Sequence, residues 1–151
     1  GACLSPQTAF YNLLGMETLG LRMERACDNA KKLAEFLNTY PDVTVNYPGL
    51  SDSLWHAQAE KVLQNGYGAI LTIRVGSKER AFDLINTLTI PKIVSNIGDT
   101  KTLIIHPEST LNAHSTQKEK EEAGVFDDLI RISVGIEDVE DLIEDFKHAL
   151  K

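Results

Sequence analysis

Two short segments that alternate with a period of two constrain the fold of this chain more than any other feature. Residues 69–75 and 129–134 both place apolar side chains at every second position. This period is typical of a β-strand with one buried face. In the second segment Ile130 and Ile132 fall on the apolar side, and Arg131 falls on the other. The chain is therefore expected to build a sheet that is covered on one face.

Helical periodicity predicts the elements that cover this sheet. Ser5 is suited to cap a helix, and the helical pattern continues through residues 6–38 with a break or kink near Gly20. Amphipathic helices are predicted at 78–88 and 139–150. Shorter helices are predicted at 56–63 and 116–124, and further strands at 43–46, 93–95 and 102–105.

The order of these elements predicts an α+β fold. We expect a mostly antiparallel sheet of about four to five strands, with helices packed on one face. Residues 1–40 are interpreted as an inter-domain connector helix and residues 41–151 as the α+β domain. The connector is long and apolar, and the chain has no initiator methionine. Both features favour the hypothesis that the chain is a fragment of a larger protein.

Composition narrows the classes of function. The formal net charge is −7 and the isoelectric point is about 5.0, which gives no basic field to attract nucleic acid or an anionic membrane. No apolar run approaches the roughly 20 residues that span a bilayer, and no signal peptide is recognisable. Cys3 and Cys27 lack the spacing of a zinc site. We therefore expect a cytoplasmic protein without metal, nucleic acid or membrane partners.

Few residues stand out as carriers of chemistry. Arg131 interrupts an apolar strand with a planar group suited to a carboxylate, although a solvated or ion-paired arginine fits the same pattern, as it does for Arg74. The segment 95–102 is either an ordinary turn or a loop that presents backbone N–H groups to an anion. His106 and His114 lack a helical metal spacing, which favours structural hydrogen bonding over catalysis.

Several motifs in order resemble one enzyme family along essentially the whole chain. The family is the pyridoxal-phosphate enzymes of cysteine and methionine metabolism, and the resemblance is to their carboxy-terminal domain. The motifs that carry it are Leu4-Ser5-Pro6, Gly15-Met16-Glu17-Thr18-Leu19-Gly20-Leu21-Arg22-Met23, Asn65-Gly66-Tyr67-Gly68, Asn96-Ile97-Gly98-Asp99, His106-Pro107-Glu108-Ser109-Thr110 and Asp128-Leu129-Ile130-Arg131-Ile132-Ser133-Val134-Gly135-Ile136-Glu137.

The resemblance implies a role for one arginine and one loop. Arg131 is expected to bind the α-carboxylate of an amino-acid substrate, helped by Ser95, Asn96 and Ile97. One departure concerns Leu111, which stands where the family commonly has a threonine that supports the arginine. Both the support of the arginine and the range of substrates depend on that position.

The resemblance also implies that catalytic and cofactor-binding residues lie elsewhere. The cofactor lysine of the family belongs to an amino-terminal domain that is absent from this chain, so the chain alone is expected to bind no pyridoxal phosphate and to be inactive. Lys101 lies beyond the region of that lysine. The parent enzyme is expected to be a homotetramer.

Within the family, two motifs resemble O-acetylhomoserine sulfhydrylases. These are Asn65-Gly66-Tyr67-Gly68 and Asn96-Ile97-Gly98-Asp99. The implied reaction converts O-acetyl-L-homoserine and sulfide or a thiol into homocysteine or methionine and acetate. The alternatives are methionine γ-lyase or cystathionine γ-synthase or lyase in the same family. A different class of alternative is a non-catalytic module for amino-acid binding or oligomerisation.

Overall fold

A computed structural model describes residues 2–151 of the chain. Its helices and strands follow the predicted order. The helices are α1 (Pro6–Glu17), α2 (Leu19–Leu37), α3 (His56–Val62), α4 (Lys78–Thr87), α5 (Gln117–Glu122) and α6 (Val139–Ala149), with a 3₁₀ turn at Pro107–Ser109. The strands are β1 (Thr44–Asn46), β2 (Ile70–Arg74), β3 (Lys92–Ile93), β4 (Leu103–Ile105) and β5 (Leu129–Ser133).

The five strands form one sheet in the order β1-β2-β5-β4-β3. The pairs β1–β2, β2–β5 and β4–β5 are antiparallel, and β3 pairs with β4 in parallel. The expectation of a mostly antiparallel sheet is therefore confirmed. The predicted strand 93–95 is shifted, because β3 ends at Ile93 and the chain leaves the sheet before Val94.

The core lies between one face of the sheet and the helices α2, α4 and α6. Both central strands bury alternate residues on this face, so the alternation seen in the sequence reports the core directly. The fully buried side chains that fill it include Leu33, Leu37, Leu71, Ile73, Leu84, Ile130, Ile132, Leu142 and Phe146. The α+β fold with helices on one face is therefore confirmed.

The N-terminal helical stretch is broken at Thr18, two residues before Gly20, near which a break or kink was predicted. Ser5 caps α1 by accepting a hydrogen bond from the backbone N–H of Thr8 at 3.2 Å, and Gly20 lies inside α2. Arg22 donates to the Gly15 carbonyl at 2.5 Å, which satisfies a helix-end acceptor that would otherwise lack a partner. Arg22 also donates to the Thr18 hydroxyl at 3.3 Å, so its side chain spans the break.

Helix α1 packs few of its side chains against the rest of the chain. None of its residues is buried, and α2 buries residues only from Ala26 onward. The large apolar side chains that remain exposed on this stretch are Phe10, Tyr11, Leu13, Leu14, Met16, Leu19, Leu21 and Met23. Across residues 2–151, none of the helices combines the length and apolar character needed to cross a membrane.

A polar junction joins the end of β5 to the start of β4. The Glu137 carboxylate accepts hydrogen bonds from the Thr102 backbone N–H at 2.5 Å and from its hydroxyl at 2.9 Å. The Thr102 hydroxyl accepts in turn from the Gly135 N–H at 3.0 Å. The buried amide of Asn29 donates to the Gly135 and Glu137 carbonyls, which ties α2 to the same junction.

Gly135→Ala is expected to destabilise the chain, because the junction leaves no space for a side chain. An added Cβ would clash with the Thr100 carbonyl oxygen and approach Lys101 C and a Glu137 carboxylate oxygen to 2.5 Å. We expect a loss of about 2 kcal/mol or more in the free energy of unfolding, measured by urea denaturation. The matched control is Gly20→Ala, whose Cβ meets nothing within 4 Å and should stabilise α2 by about 0.5–1 kcal/mol. Equal stabilities of the two variants would contradict this account.

Candidate substrate-carboxylate site

Strand β5 places Arg131 on the face of the sheet that lies opposite the helices α2, α4 and α6. Its neighbours Ile130 and Ile132 are fully buried against the helices, so the period of the strand directs Arg131 to the opposite side. Arg131 lies opposite Thr72 of β2 and Ile105 of β4. The side chain is therefore held by a central strand with partners on both edges.

The loop after β3 supplies the hydrogen-bond partners of Arg131. Nη2 of Arg131 donates to the Ser95 carbonyl at 2.8 Å and to the Asn96 carbonyl at 3.4 Å. Nε of Arg131 is buried and has no hydrogen-bond partner among the described residues. A buried charged donor without a partner is costly, so the described residues leave the hydrogen-bonding capacity of this arginine partly unmet.

Other arginines of the chain differ from Arg131 in their partners. Arg74 donates to the buried carboxylate of Asp128 at 2.8 Å, which is the ion-paired role considered for it above. Arg80 also pairs with an aspartate, Asp42. For Arg131, no carboxylate lies within ion-pair distance in the described part of the chain. An internal counter-ion therefore does not account for this arginine.

The loop is exposed but has a defined backbone. Gly98 adopts φ +80°, a left-handed conformation that favours glycine, and donates its N–H to the Ser133 hydroxyl at 3.2 Å. The Asp99 carboxylate accepts from the Lys101 N–H at 3.0 Å, and this hydrogen bond lowers the pKa of Asp99. The N–H of Ile136 donates to the Thr100 carbonyl at 2.9 Å. The loop is therefore held mainly through its main chain.

The structure brings together three of the four residues predicted for this site. Ser95 and Asn96 contact Arg131 through their backbone carbonyls. Ile97 makes no hydrogen bond to Arg131, and its side chain is 58% exposed and lines an adjoining apolar cavity. The cavity has a volume of about 340 Å³ and lies between the loop, the first half of α2 and residues 67–70.

Ser133 is a residue that the sequence analysis did not assign to the site. The alternation of β5 had placed it on the same face as Arg131, which is the signal that could have found it. Its contact with the loop could not be read from the sequence, because Gly98 lies 35 residues away along the chain.

Comparison with known proteins identifies the family of the chain. A family model described as Cys/Met metabolism PLP-dependent enzyme matches residues 1–151. The chain belongs to this family.

Relatives of several enzyme types match the whole chain. The L-methionine gamma-lyase of Fusobacterium nucleatum subsp. polymorphum is 43% identical, over 100% of this chain and 38% of that protein. The O-acetyl-L-homoserine sulfhydrylase of Leptospira meyeri is 44% identical, over 100% of this chain and 35% of that protein. The chain thus spans well under half the length of these curated relatives.

A solved structure shows the same fold. The putative O-acetylhomoserine (thiol)-lyase of Campylobacter jejuni, which contains N'-pyridoxyl-lysine-5'-monophosphate, superposes with a TM-score of 0.93 at 38% identity. The match covers 99% of this chain and 36% of that protein. The α+β fold is therefore the fold of a region of a pyridoxal-phosphate enzyme.

The apolar cavity beside the loop does not have the lining of a pyridoxal-phosphate site. Such a site needs a lysine for the Schiff base, held in a pocket with groups that bind the phosphate. No lysine lines the apolar cavity beside the loop. Lys78 and Lys120 pair with Glu108, and Lys147 pairs with Glu144. Within residues 2–151 no group of three or more His, Cys, Asp or Glu side chains is placed to hold a metal ion either.

The family motif that begins at His106 has a structural arrangement here. His106 is buried, with Nε2 at 2.7 Å from the Asp127 carbonyl and Nδ1 at 2.9 Å from the Ser109 hydroxyl. Because Nδ1 also accepts from the Ser109 N–H at 3.3 Å, the ring is assigned as neutral with its proton on Nε2. Leu111 is 56% exposed, and its side chain has no hydroxyl that could support Arg131.

Glu108 of this motif bridges two lysines. Its carboxylate lies 2.5 Å from Nζ of Lys120 and 2.8 Å from Nζ of Lys78. The hydrogen bonds from Lys120 and Lys78 lower the pKa of Glu108 to about 2, from an ordinary value of 4.5. The bridge connects α4 and α5 to the turn after β4.

Glu108→Gln is expected to remove a pH-dependent part of the stability. A carboxyl whose pKa is lowered on folding stabilises the folded state above its unfolded pKa, and this contribution is lost as the pH falls through the folded pKa. The difference in unfolding free energy between wild type and Glu108→Gln should be about 1–3 kcal/mol above pH 4.5 and should vanish near pH 2. Urea denaturation across this range measures it.

Glu144→Gln is the control for this measurement. Glu144 also binds a lysine, Lys147, but the pair is exposed on α6 and should have little effect on stability. A Glu108→Gln variant with the same stability as Glu144→Gln at pH 6 would contradict the assigned role of the bridge.

Proposed function

We propose that the chain is the substrate-carboxylate-binding part of an O-acetylhomoserine sulfhydrylase. The observation that carries the proposal is the Nε of Arg131, a buried cationic donor with no partner in the described residues. A guanidinium and a carboxylate form strong, charge-assisted hydrogen bonds with defined geometry. The α-carboxylate of an amino acid is an acceptor of this kind.

The remaining contacts of Arg131 support a positioning role. The carbonyls of Ser95 and Asn96 hold Nη2 and thereby restrict rotation of the planar group. A restricted guanidinium loses less conformational freedom when the substrate binds, and it orients the amino acid with respect to the reacting centre. Ile97 adds an apolar side chain at the rim of the loop. Arg131, Ser95, Asn96 and Ile97 are therefore the proposed substrate-binding residues.

The remainder of the reaction belongs to the parent enzyme in this proposal. Pyridoxal phosphate, held by an amino-terminal domain, supplies the electron-withdrawing group on which this chemistry depends. The parent replaces the acetate of O-acetyl-L-homoserine with sulfide or a thiol. The chain contributes carboxylate binding and one wall of the cleft, and it is inactive alone.

The exposed apolar side chains of α1 and early α2 support a connector role for residues 1–40. A contiguous apolar surface of this kind on a soluble protein marks a contact with another domain or subunit. In the proposed parent the amino-terminal domain covers this surface, within a homotetramer. Residues 41–151 then form the smaller α+β domain.

Methionine γ-lyase is the second candidate for the parent. The F. nucleatum enzyme of that name is 43% identical to the chain, which matches the identity to the sulfhydrylases. Assays of the full-length enzyme with O-acetylhomoserine plus sulfide, with methionine and with cystathionine separate the candidates. Activity on none of these substrates would favour a non-catalytic binding module.

Arg131→Gln in the full-length enzyme is expected to lower kcat/KM for the amino-acid substrate by about 100-fold or more, because a charged and partly buried contact is lost. Arg131→Lys keeps the charge without the planar fork and should lie between this variant and wild type. The matched control is Arg80→Gln, which removes an arginine of α4 that pairs with Asp42. Equal activity of Arg131→Gln and Arg80→Gln would refute the proposed role.

The 151-residue chain is expected to retain no pyridoxal phosphate. We would incubate it with the cofactor, reduce it with borohydride, dialyse it and locate adducts by mass spectrometry. Scattered, substoichiometric labelling of surface lysines agrees with the proposal. Stoichiometric labelling of a single lysine would show a complete cofactor site in this chain and would contradict it. The full-length enzyme, labelled at one lysine, is the positive control.

A further inference from the structure

We propose that Ser133 is a positioning residue, which holds the substrate-binding loop in register with Arg131. This inference rests on the proposed function of Arg131. It adds a second residue of β5 to the site, one that acts through the loop.

Arg131 and Ser133 both bind the loop, and both lie on the same face of β5. Arg131 and Ser133 are two residues apart on β5 and so project to the same side of the sheet. Arg131 holds the carbonyls of Ser95 and Asn96, and the Ser133 hydroxyl accepts from the Gly98 N–H at 3.2 Å. Strand β5 therefore binds carbonyl groups at the start of the loop and an N–H group further along it.

The loop depends on these contacts because it has few others. Residues 92–101 are exposed, and the sheet pairing of β3 ends at Ile93. Beyond its three hydrogen bonds to Arg131 and Ser133, the loop backbone is held at its far end by the Ile136–Thr100 and Glu137–Thr102 hydrogen bonds. Without Ser133, the stretch between Asn96 and Thr100 has no tether to the sheet.

The burial of Ser133 and the exposure of Gly98 suit a role in positioning the loop. Ser133 is 2% exposed, so its position is set by packing in the strand and not by solvent. Gly98 is exposed, so its N–H can bind water when the hydroxyl is removed. Loss of the hydrogen bond should therefore affect the geometry of the loop more than the stability of the fold.

The test compares Ser133→Ala and Ser133→Thr in the full-length enzyme. Ser133→Ala should raise KM for the amino-acid substrate about 10-fold with a smaller change in kcat, since one hydrogen bond that pre-orients the binding site is lost. Ser133→Thr keeps the acceptor and should restore a KM near that of wild type. The midpoint of urea unfolding of Ser133→Ala should stay close to that of wild type.

Hydrogen exchange provides a readout that is independent of the substrate. Peptides covering residues 95–101 should exchange faster in Ser133→Ala than in wild type, whereas peptides from β2 should be unchanged. Gly98→Ala perturbs the same turn from the other side, because a Cβ meets nothing within 4 Å there but φ is +80°. It should raise KM in the same way as Ser133→Ala, and it therefore tests the role of the turn independently of Ser133→Thr.

The outcomes separate this inference from the proposed function. If Arg131→Gln raises KM but Ser133→Ala does not, the positioning role is wrong and the function of Arg131 stands. Unchanged exchange of residues 95–101 in Ser133→Ala also overturns the positioning role. If Arg131→Gln has no effect on KM, the proposed function itself fails. A rise in KM and faster loop exchange in Ser133→Ala, both reversed in Ser133→Thr, supports the inference.

Discussion

The register of β5 between β2 and β4 is the constraint on which the rest of the site depends. Ile130 and Ile132 are fully buried under the helices, and this burial leaves only one orientation for the residues between them. A slip of one residue would bring Arg131 into the apolar core without a counter-ion, at a large cost in free energy. The hydrophobic effect that builds the sheet thereby also places a cationic group on the face opposite the helices.

The face of the sheet that carries Arg131 can form a binding site because the loop after β3 is held against it. Contacts from β5 fix the turn around Gly98, and the junction at Thr102 and Glu137 fixes the point where the chain re-enters the sheet. On the loop side, these contacts use the backbone N–H groups of Gly98 and Thr102 and the Thr102 hydroxyl.

The main elements of this fold follow from local patterns. Alternation predicts β2 and β5 and assigns Arg131 to the face opposite the apolar one, because burial of one face has a period of two. The spacing of Thr116 and Glu119 predicts a capping box, and the structure has both of its hydrogen bonds. The role of the loop came from the family motifs and not from its residues alone.

Other features could not be predicted, because they depend on groups that are distant in the sequence. The break near Gly20 falls at Thr18, and the contacts of Arg22 with Gly15 and Thr18 across it could not be read from the helical pattern. The parallel pairing of β3 is a property of the folded sheet, and its strand is only two residues long. The bond from Gly98 to Ser133 exists only after β3 and β5 have been brought close.

The most direct test of the central claim is a crystal structure of the full-length enzyme with an unreactive analogue of its amino-acid substrate. The account predicts an α-carboxylate oxygen at about 2.7–3.2 Å from the Nε of Arg131, with the Ser95 carbonyl still bound to Nη2. A carboxylate bound by a different residue, with Nε of Arg131 paired to a side chain of the parent, would contradict it.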